Sequence, residues 1–521
     1  MEKSDIEVSG SSDHIDGPVQ TTPKRELEDP DAHLSEEERK KLVGFVMYMF
    51  WNKKTIAERC FLDRTNVGNA KLEGLQKDLR LTDGQYAAAL TIFFVSYSVF
   101  EPLTNILLKR LRPSIFIPVI MIIWGICMTT MGLTTNFPGF MAARWFLGFS
   151  EAGLFPGVGY FLSCWYRRTE FGVRMAIFFS AAAVAGSFGG LLAAAIAKMD
   201  GVGGKAGWEW IFILEGLATI VIAVASFWMV QDFPDTATFL SEDDRKRVIL
   251  RLSKDKQSSA GHEDFKMSYF WASVKDWKTY VSAFIYAGCV GPLYAFSLFL
   301  PTIIKELVRF TSSYFLFILL VVLTLICSVL GYIGYQSTMA QLLSVPPYVA
   351  GCFLTIVVGL FADRTKMRGL CNIGVSLIGI IGFSMLLGAK SPEVRYAGTF
   401  LGAMGIYPCI PNTISWASNN TEGVYKRGVS LGFIIGWGNL NGVVSSNIYR
   451  AEDAPGFFPG HGTVLGYMIV FLLGGSILQH VLLRIENGKR IRGERNAWAE
   501  GQDAYGIEML GDKRPDFIYT L

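Results

Sequence analysis

Arg144 and Glu151 lie seven residues apart in one apolar run, Phe140-Met-Ala-Ala-Arg144-Trp-Phe-Leu-Gly148-Phe-Ser-Glu151-Ala-Gly-Leu-Phe-Pro156-Gly157. Flanking residues carry that run to about the width of a bilayer. A charge in hydrocarbon costs about 3 kcal/mol or more, so such residues face a partner, a cavity or a substrate. Seven residues are close to two helical turns, which puts both side chains on one face, roughly 10 Å apart along the axis. A fixed cation and a protonatable acid on one face suit a site that holds an anion and couples it to a proton. The competing reading is a structural ion pair to neighbouring helices. Glu215, in the apolar run 208–230, is a second buried-acid candidate, with a structural partner near the membrane edge as its alternative. Asp63 and Arg64 read as a structural pair closing the first helix at the outer mouth.

These residues need apolar helices around them, and the composition supplies them. Of the 521 residues 51% are apolar and only 18% are charged, with a mean hydropathy of +0.34. Repeated apolar runs of about 20 residues read as transmembrane helices, so the lipid bilayer is the first expected partner. The net charge of +3 carries little information, because in a membrane protein the placement of Lys and Arg matters more than their sum. No basic patch with interleaved aromatics points to nucleic acid. Five histidines and eight scattered cysteines form no metal-ligand cluster, and the cysteines read as small buried hydrophobes. No nucleophile–base or phosphate-cradling motif points to an enzyme, and no cofactor is expected.

Membrane segments are predicted at 86–108, 115–135, 139–164, 173–197 and 208–230, then at 277–300, 340–362, 370–389, 394–416, 425–447 and 463–484. Residues 1–40 are acidic and polar and read as a disordered tail. Residues 231–276 are too charged to span and read as a surface linker with an amphipathic helix. Two places do not fit. Leu42–Trp51 is apolar but too short to cross before charged residues intervene, and 314–332 is apolar enough to span. The Lys and Arg clusters at 109–112, 167–174, the linker, 364–368, 426–427 and the C-terminal tail share one side only if 314–332 does not add a crossing. That side is the predicted cytoplasmic one. Gly186, Gly189 and Gly190 read as small residues for close helix packing. The sequon Asn419-Asn-Thr421 falls in a predicted cytoplasmic loop, so no glycan is expected.

Six helices, a linker and six helices resemble the major facilitator superfamily, and Gly359-Leu-Phe-Ala-Asp363-Arg364-Thr-Lys-Met-Arg368 resembles its G-x-x-x-D-R-x-x-x-R loop. The first-half counterpart, Asn105-Ile-Leu-Leu-Lys109-Arg110-Leu-Arg112-Pro113, is degenerate. Phe61-Leu-Asp-Arg-Thr-Asn-Val-Gly-Asn-Ala70, Glu151-Ala-Gly-Leu-Phe-Pro-Gly157, Phe299-Leu-Pro-Thr-Ile-Ile304, Val345-Pro-Pro-Tyr348 and Gly405-Ile-Tyr-Pro408 are similar to the fungal allantoate permease family, nearest its nicotinic acid permease branch. The resemblance covers nearly everything from Phe61 to about Glu486.

The resemblance implies an all-α membrane protein of the major facilitator fold. Its two six-helix bundles, 41–230 and 277–486, are joined by the cytoplasmic linker 231–276 and followed by a cytoplasmic tail, 487–521. It implies a secondary active transporter in the plasma membrane, multi-pass and monomeric, with both termini cytoplasmic. It implies alternating access with proton-coupled uptake of a small organic anion such as nicotinate, pantothenate or allantoate. Arg144 corresponds to a fourth-helix arginine that grips the substrate carboxylate, and Glu151 and Glu215 are the proton-coupling candidates. Tyr286, Tyr294 and Ser297 fall on the cavity-lining seventh helix, Asn412 and Trp416 on the tenth, and Asn439 on the eleventh; for each asparagine interhelical hydrogen bonding is the other reading. Asp363, Arg364 and Arg368 form the gating loop. The chain departs from the family in its short first helix and in an insert at 308–333 of the kind a translated intron would supply. The alternatives are therefore a non-transporting or inactive paralogue, a mis-spliced product, and a proton-coupled exporter.

Overall fold

The computed structural model of the chain describes residue 63 and residues 66–166, 168–237, 240–254, 267–308, 336–454, 456–502 and 510–521. The short first helix expected over 42–60, Arg64, and the insert beyond Val308 lie outside the described residues. A first helix, described over 66–72, leads through a short turn, Leu75–Asp78, into α1 (Asp83–Arg110). Then come α2 (Pro113–Met131), α3 (Phe137–Glu151), α4 (Leu154–Trp165), α5 (Arg168–Ala197) and α6 (Gly207–Met229). Surface helices α7 (Glu242–Lys254) and α8 (Met267–Val274) stand in the linker. The second half holds α9 (Trp277–Val308), α10 (Gln336–Thr365), α11 (Arg368–Gly388), α12 (Pro392–Ile406), α13 (Cys409–Asn419), α14 (Val424–Ser445), α15 (Phe458–Tyr467) and α16 (Gly475–Ile491). A π-helical stretch, Met468–Gly474, joins the last two.

Local chemistry sets where these helices start and break. Thr82 and Gln85 close a reciprocal capping box at the start of α1. The Asn136 side chain accepts from the Gly139 N–H at 2.8 Å, and Pro138 occupies the first turn of α3. α3 and α4 are one membrane pass interrupted at Ala152 and Gly153, because Pro156 has no N–H to offer the Ala152 carbonyl. α12 and α13 repeat the device, where Pro408 and Pro411 withhold N–H groups from the Met404 and Tyr407 carbonyls. Hydropathy predicts each as one continuous segment; the prolines divide them. Both interruptions fall in the fourth helix of their half.

Packing separates lipid-facing helices from central ones. α2 buries Phe116, Ile120, Trp124 and Met128 and exposes Ile115, Val119, Ile123 and Ile126, an outward apolar stripe that matches lipid. α6 exposes Leu217, Val221, Val224 and Trp228 in the same way. In α9, by contrast, 89% of the apolar window is buried, against 28% in the last helix, so α9 stands inside the bundle. α2 and α6 touch backbone to backbone: a Cβ on Gly216 would sit 2.8 Å from the Gly125 carbonyl.

One face gathers the basic ends. Hydrogen bonds tie it together, from the Ser114 N–H to Asp232 at 3.2 Å, the Val173 N–H to Asp363 at 2.6 Å, and the Ser273 hydroxyl to the Lys426 carbonyl at 2.9 Å. α9 leaves this basic face and α10 returns to it. The described flanks of the insert therefore share the opposite face.

The chain beyond residue 486 differs from a plain polar tail. α16 continues to Ile491, and residues 510–521 pack into the basic face of the second half. Phe517 and Tyr519 are buried there. Trp416 Nε1 and the Asn420 amide both donate to the Thr520 carbonyl, at 2.8 and 2.9 Å, and Arg490 donates to the Phe517 carbonyl at 2.6 Å. The Asp512 carboxylate is clasped by the ammonium groups of Lys278 and Lys426.

Candidate functional site

Arg144 stands two turns into α3 and is 1% exposed. Its Nε donates to the Ala89 carbonyl of α1 at 3.1 Å, and its guanidinium lies 4.8 Å from the centre of the Phe93 ring. The helices approach this closely because Gly148 has no side chain; a Cβ there would collide with Ser96 and the Phe93 carbonyl. Arg144 thus faces α1 and not lipid. Glu151 is fully buried at the last residue of α3, at the interruption. α3–α4 runs beside α1 from Gly148, against Phe93 and Ser96, to Gly153, against Thr104. That alignment sets Glu151 at the depth of Glu101 on α1.

From Phe93 a chain of contacts crosses between the halves. Phe93 packs edge-on to Phe94 at 5.2 Å, and Phe94 lies 4.6 Å from Tyr294 of α9. The Tyr294 hydroxyl donates to Asn439 Oδ1 at 2.6 Å, and Asn439 Nδ2 donates to Glu101 at 3.2 Å. A second aromatic bridge joins Phe179 of α5 to Tyr407 at 6.3 Å, then Tyr348 at 5.8 Å and Phe296 at 5.8 Å. Glu101, Phe179 and this tyrosine pair are central residues that the sequence reading does not single out, whereas Asn439 makes the interhelical hydrogen bonds read for it there. Glu101 carries the same signal as Arg144, an ionisable group inside an apolar run. The aromatic pairings have no such signal.

The other sequence candidates divide by location. Tyr286 is buried against Gly438 of α14, where a Cβ would strike its ring. Ser297 lines a small cleft of about 10 Å³ with Gly68, Gly186, Ser344 and Tyr348, room for about one water. Glu215 is 1% exposed and accepts from the Asn66 amide at 2.5 Å. Asp63 accepts from Trp124 Nε1 at 2.6 Å and from the Thr219 hydroxyl at 3.5 Å. Glu215 and Asp63 thus share the seam of the first helix with α2 and α6, inside the first half.

Asn412 and Trp416 lie toward the basic face, while Arg144 lies beside the part of α1 nearer the opposite face. Asn412 donates to the Arg368 carbonyl and to Asn372 Oδ1, both at 2.8 Å, and accepts from Arg368 at 3.3 Å. Trp416 is held by Thr520. The structure does not bring these two beside Arg144. In the loop after α10, Asp363 pairs with buried Arg368 and accepts the Val173 N–H, joining α10 to α5 of the other half. Arg364 is exposed. The halves also meet at the opposite face, where the Asn447 amide donates to the Thr91 hydroxyl at 3.1 Å. Among the described residues no group of three or more His, Cys, Asp or Glu side chains could hold a metal ion.

Two packed helical halves around a buried charged seam define a multi-pass membrane protein of the transporter class. The chain belongs to the Major Facilitator Superfamily, whose family model matches residues 60–446. It is 32% identical over 469 residues to the MFS-type transporter cnsO of Penicillium expansum, covering 88% of this chain and 85% of that one. It is 29% identical over 459 residues to the high-affinity nicotinic acid transporter of Saccharomyces cerevisiae, covering 88% and 80%. A solved bacterial homologue of the human lysosomal transporter Spinster, inward-facing and unoccupied, shares the fold. Its TM-score is 0.56 at 14% identity, with 84% of this chain and 95% of that chain covered.

Proposed function

We propose that the chain is a proton-coupled importer of a small monocarboxylate, in the fungal allantoate permease branch of its superfamily. The observation that carries this reading is Arg144, a buried guanidinium oriented by the Ala89 carbonyl and the Phe93 ring, on one helix with Glu151. A guanidinium pairs a carboxylate through a planar fork, which suits recognition of an anion in a dry site. Helices interrupted at corresponding positions of two halves point to a substrate site between them, and Glu151 sits at one such interruption. The aromatic bridges between the halves suit a flat ring such as that of nicotinate. The nicotinic acid transporter among the relatives supports the same substrate class.

In the cycle, Glu151 takes a proton while the site faces outward and Arg144 binds the carboxylate. Neutralising both charges lowers the cost of passing through the closed state. Asp363, Arg368 and Asn412 latch the basic face, which the Lys and Arg bias assigns to the cytoplasm. The protein works as a monomer in the plasma membrane with both termini cytoplasmic.

The test is uptake of labelled nicotinate by cells expressing the full chain, at about pH 5 and about pH 7. Glu151→Gln mimics the protonated acid, so it spares exchange across the membrane and removes proton-driven accumulation. Unchanged accumulation would eliminate Glu151 and leave Glu215 as the coupling acid. Dye extrusion without nicotinate uptake would instead establish an exporter.

A further inference from the structure

The linker helix α8, Met267–Val274, turns its apolar side outward. Met267, Phe270, Trp271 and Val274 recur at the spacing of one helical face. On that face Met267 is 59% exposed, Phe270 38% and Trp271 53%. Ser273, on the other side, is buried, and its hydroxyl donates at 2.9 Å to the Lys426 carbonyl in the first turn of α14. The neighbouring linker helix α7 is built the usual way for water: it buries Val248 and Leu252 and exposes Lys246 and Arg247. The Tyr280 hydroxyl donates to the Val274 carbonyl at 2.7 Å, which fixes the end of α8 beside the first turn of α9. Tyr280 packs edge-on against Phe433 of α14 at 5.5 Å, and one turn further along Phe284 packs edge-on against Trp437 at 6.1 Å. These four rings are exposed on the outer surface of α9 and α14, where lipid lies. The apolar face of α8 continues that surface at its basic end.

We propose that α8 is a membrane foot: it lies along the leaflet at the basic face, with Met267, Phe270 and Trp271 sunk at the boundary of headgroups and acyl chains. Eight residues make about 12 Å of helix, too short to cross a bilayer. The apolar stripe runs the full length of α8, so the helix axis lies parallel to the surface that the stripe meets. Amphipathic helices in this position bury their apolar face about 5–10 Å into the boundary. Phe270 and Trp271 pack edge-on at 5.6 Å and present one aromatic wedge. Tryptophan suits that depth, because its ring is apolar and its N–H reaches the wet headgroups. The bilayer is the occupant because the exposed stripe is joined, through Tyr280, to rings that already face lipid. The bonds from Ser273 and Tyr280 tie the foot to both α14 and α9. The foot therefore holds that corner of the second half to the plane of the leaflet and brings the end of the linker with it. This role goes beyond the importer reading and holds for any substrate and any coupling ion.

The test uses the full chain in phospholipid nanodiscs. Nitroxide labels are placed singly at Met267→Cys, Phe270→Cys and Trp271→Cys on α8 and at Lys246→Cys on α7, with the native cysteines replaced. Power-saturation spin resonance compares collisions with oxygen, which concentrates among acyl chains, and with a water-soluble nickel chelate. The ratio of oxygen to nickel collisions should be several-fold higher for the α8 labels than for the Lys246→Cys label. It should be as high in pure phosphatidylcholine as with phosphatidylserine present, because the stripe carries no charge. Labels on α8 as open to nickel as the one on α7 overturn the proposal and leave the stripe to a protein partner. An oxygen preference that appears only with phosphatidylserine overturns it as well, since charge and not the apolar stripe would then hold the helix. If replacing the cysteines unfolds the protein, the unsubstituted chain supplies the measurement. A phosphatidylcholine carrying a diazirine in its acyl chain should, on illumination, label the segment Met267–Val274. Labelling of the outer surface of α9 without labelling of that segment overturns the proposal.

Discussion

Asp512 accepts from the Lys426 ammonium at 2.6 Å, a buried ion pair that ties the end of the chain to the first turn of α14. Lys278 closes on the same carboxylate from α9, and Asp276 lies 2.8 Å from Lys426. Removing one member of a buried cluster strands the others, so Asp512→Asn should destabilise the protein by about 3 kcal/mol, read as a lower thermal midpoint in detergent. Burial opposes the Asp512 charge, but Lys278 and Lys426 overcome it and hold the carboxyl at about 2, below its ordinary 3.8. A depressed acid stabilises above its ordinary pKa and loses that contribution as pH falls through the folded value. The gap between parent and Asp512→Asn should stay constant at neutral pH and shrink only below about pH 4. A gap that shrinks already between about pH 7 and pH 5 would show that another group holds the tail.

The latch should behave as a coupled unit. Asp363→Asn leaves Arg368 buried without its carboxylate partner, which costs about 3 kcal/mol. Asp363→Asn combined with Arg368→Gln removes both charges, so the pair should cost less than the sum of the single changes. Thermal midpoints of the four proteins measure this. Strict additivity would mean that the two charges do not depend on each other.

Close helix contact at glycine predicts a steric effect with no charge involved. Gly216→Leu forces a side chain against the Gly125 carbonyl and Thr129, so α2 and α6 must part. Overpacking of this kind costs about 1–3 kcal/mol. Gly84→Leu, with open space around it, should leave the thermal midpoint unchanged. Equal losses at both positions would mean that the close contact at Gly216 is not the cause, since helix propensity favours leucine over glycine at either site.

The membrane helices were legible because apolar runs of bilayer length have few other uses, and charges inside those runs marked Arg144, Glu151 and Glu215. Glu101 carries the same mark, inside the predicted segment 86–108, yet the sequence reading does not single it out. Its pairing with Asn439 spans 338 positions, and nothing local in either helix announces a partner so distant. The tail was illegible for a related reason. Its polar residues read as solvated until the helix ends supply Lys278, Lys426, Asn487 and Arg490 around them. Asn412 looked like a substrate ligand because it is polar at membrane depth, yet Arg368 and Asn372 occupy its amide.

Arg144 does two things that substitution can separate. It braces α1 through Ala89 and Phe93, and in the importer reading it pairs the substrate carboxylate. Arg144→Ala removes both, so loss of nicotinate binding alone would not distinguish them. Nicotinamide has the same ring without the charge and supplies the control. Bracing affects both ligands, whereas the ion pair affects only the acid. The parent should prefer nicotinate, and Arg144→Ala should weaken nicotinate by about 2–5 kcal/mol, tens to thousands of fold, while changing nicotinamide little. Arg144→Lys keeps the charge but loses the fork, so its preference should be intermediate. Binding is measured by competition against labelled nicotinate on purified protein. An Arg144→Ala protein that still prefers the acid by the parent's margin would remove Arg144 from the substrate site and leave it only as the brace on α1.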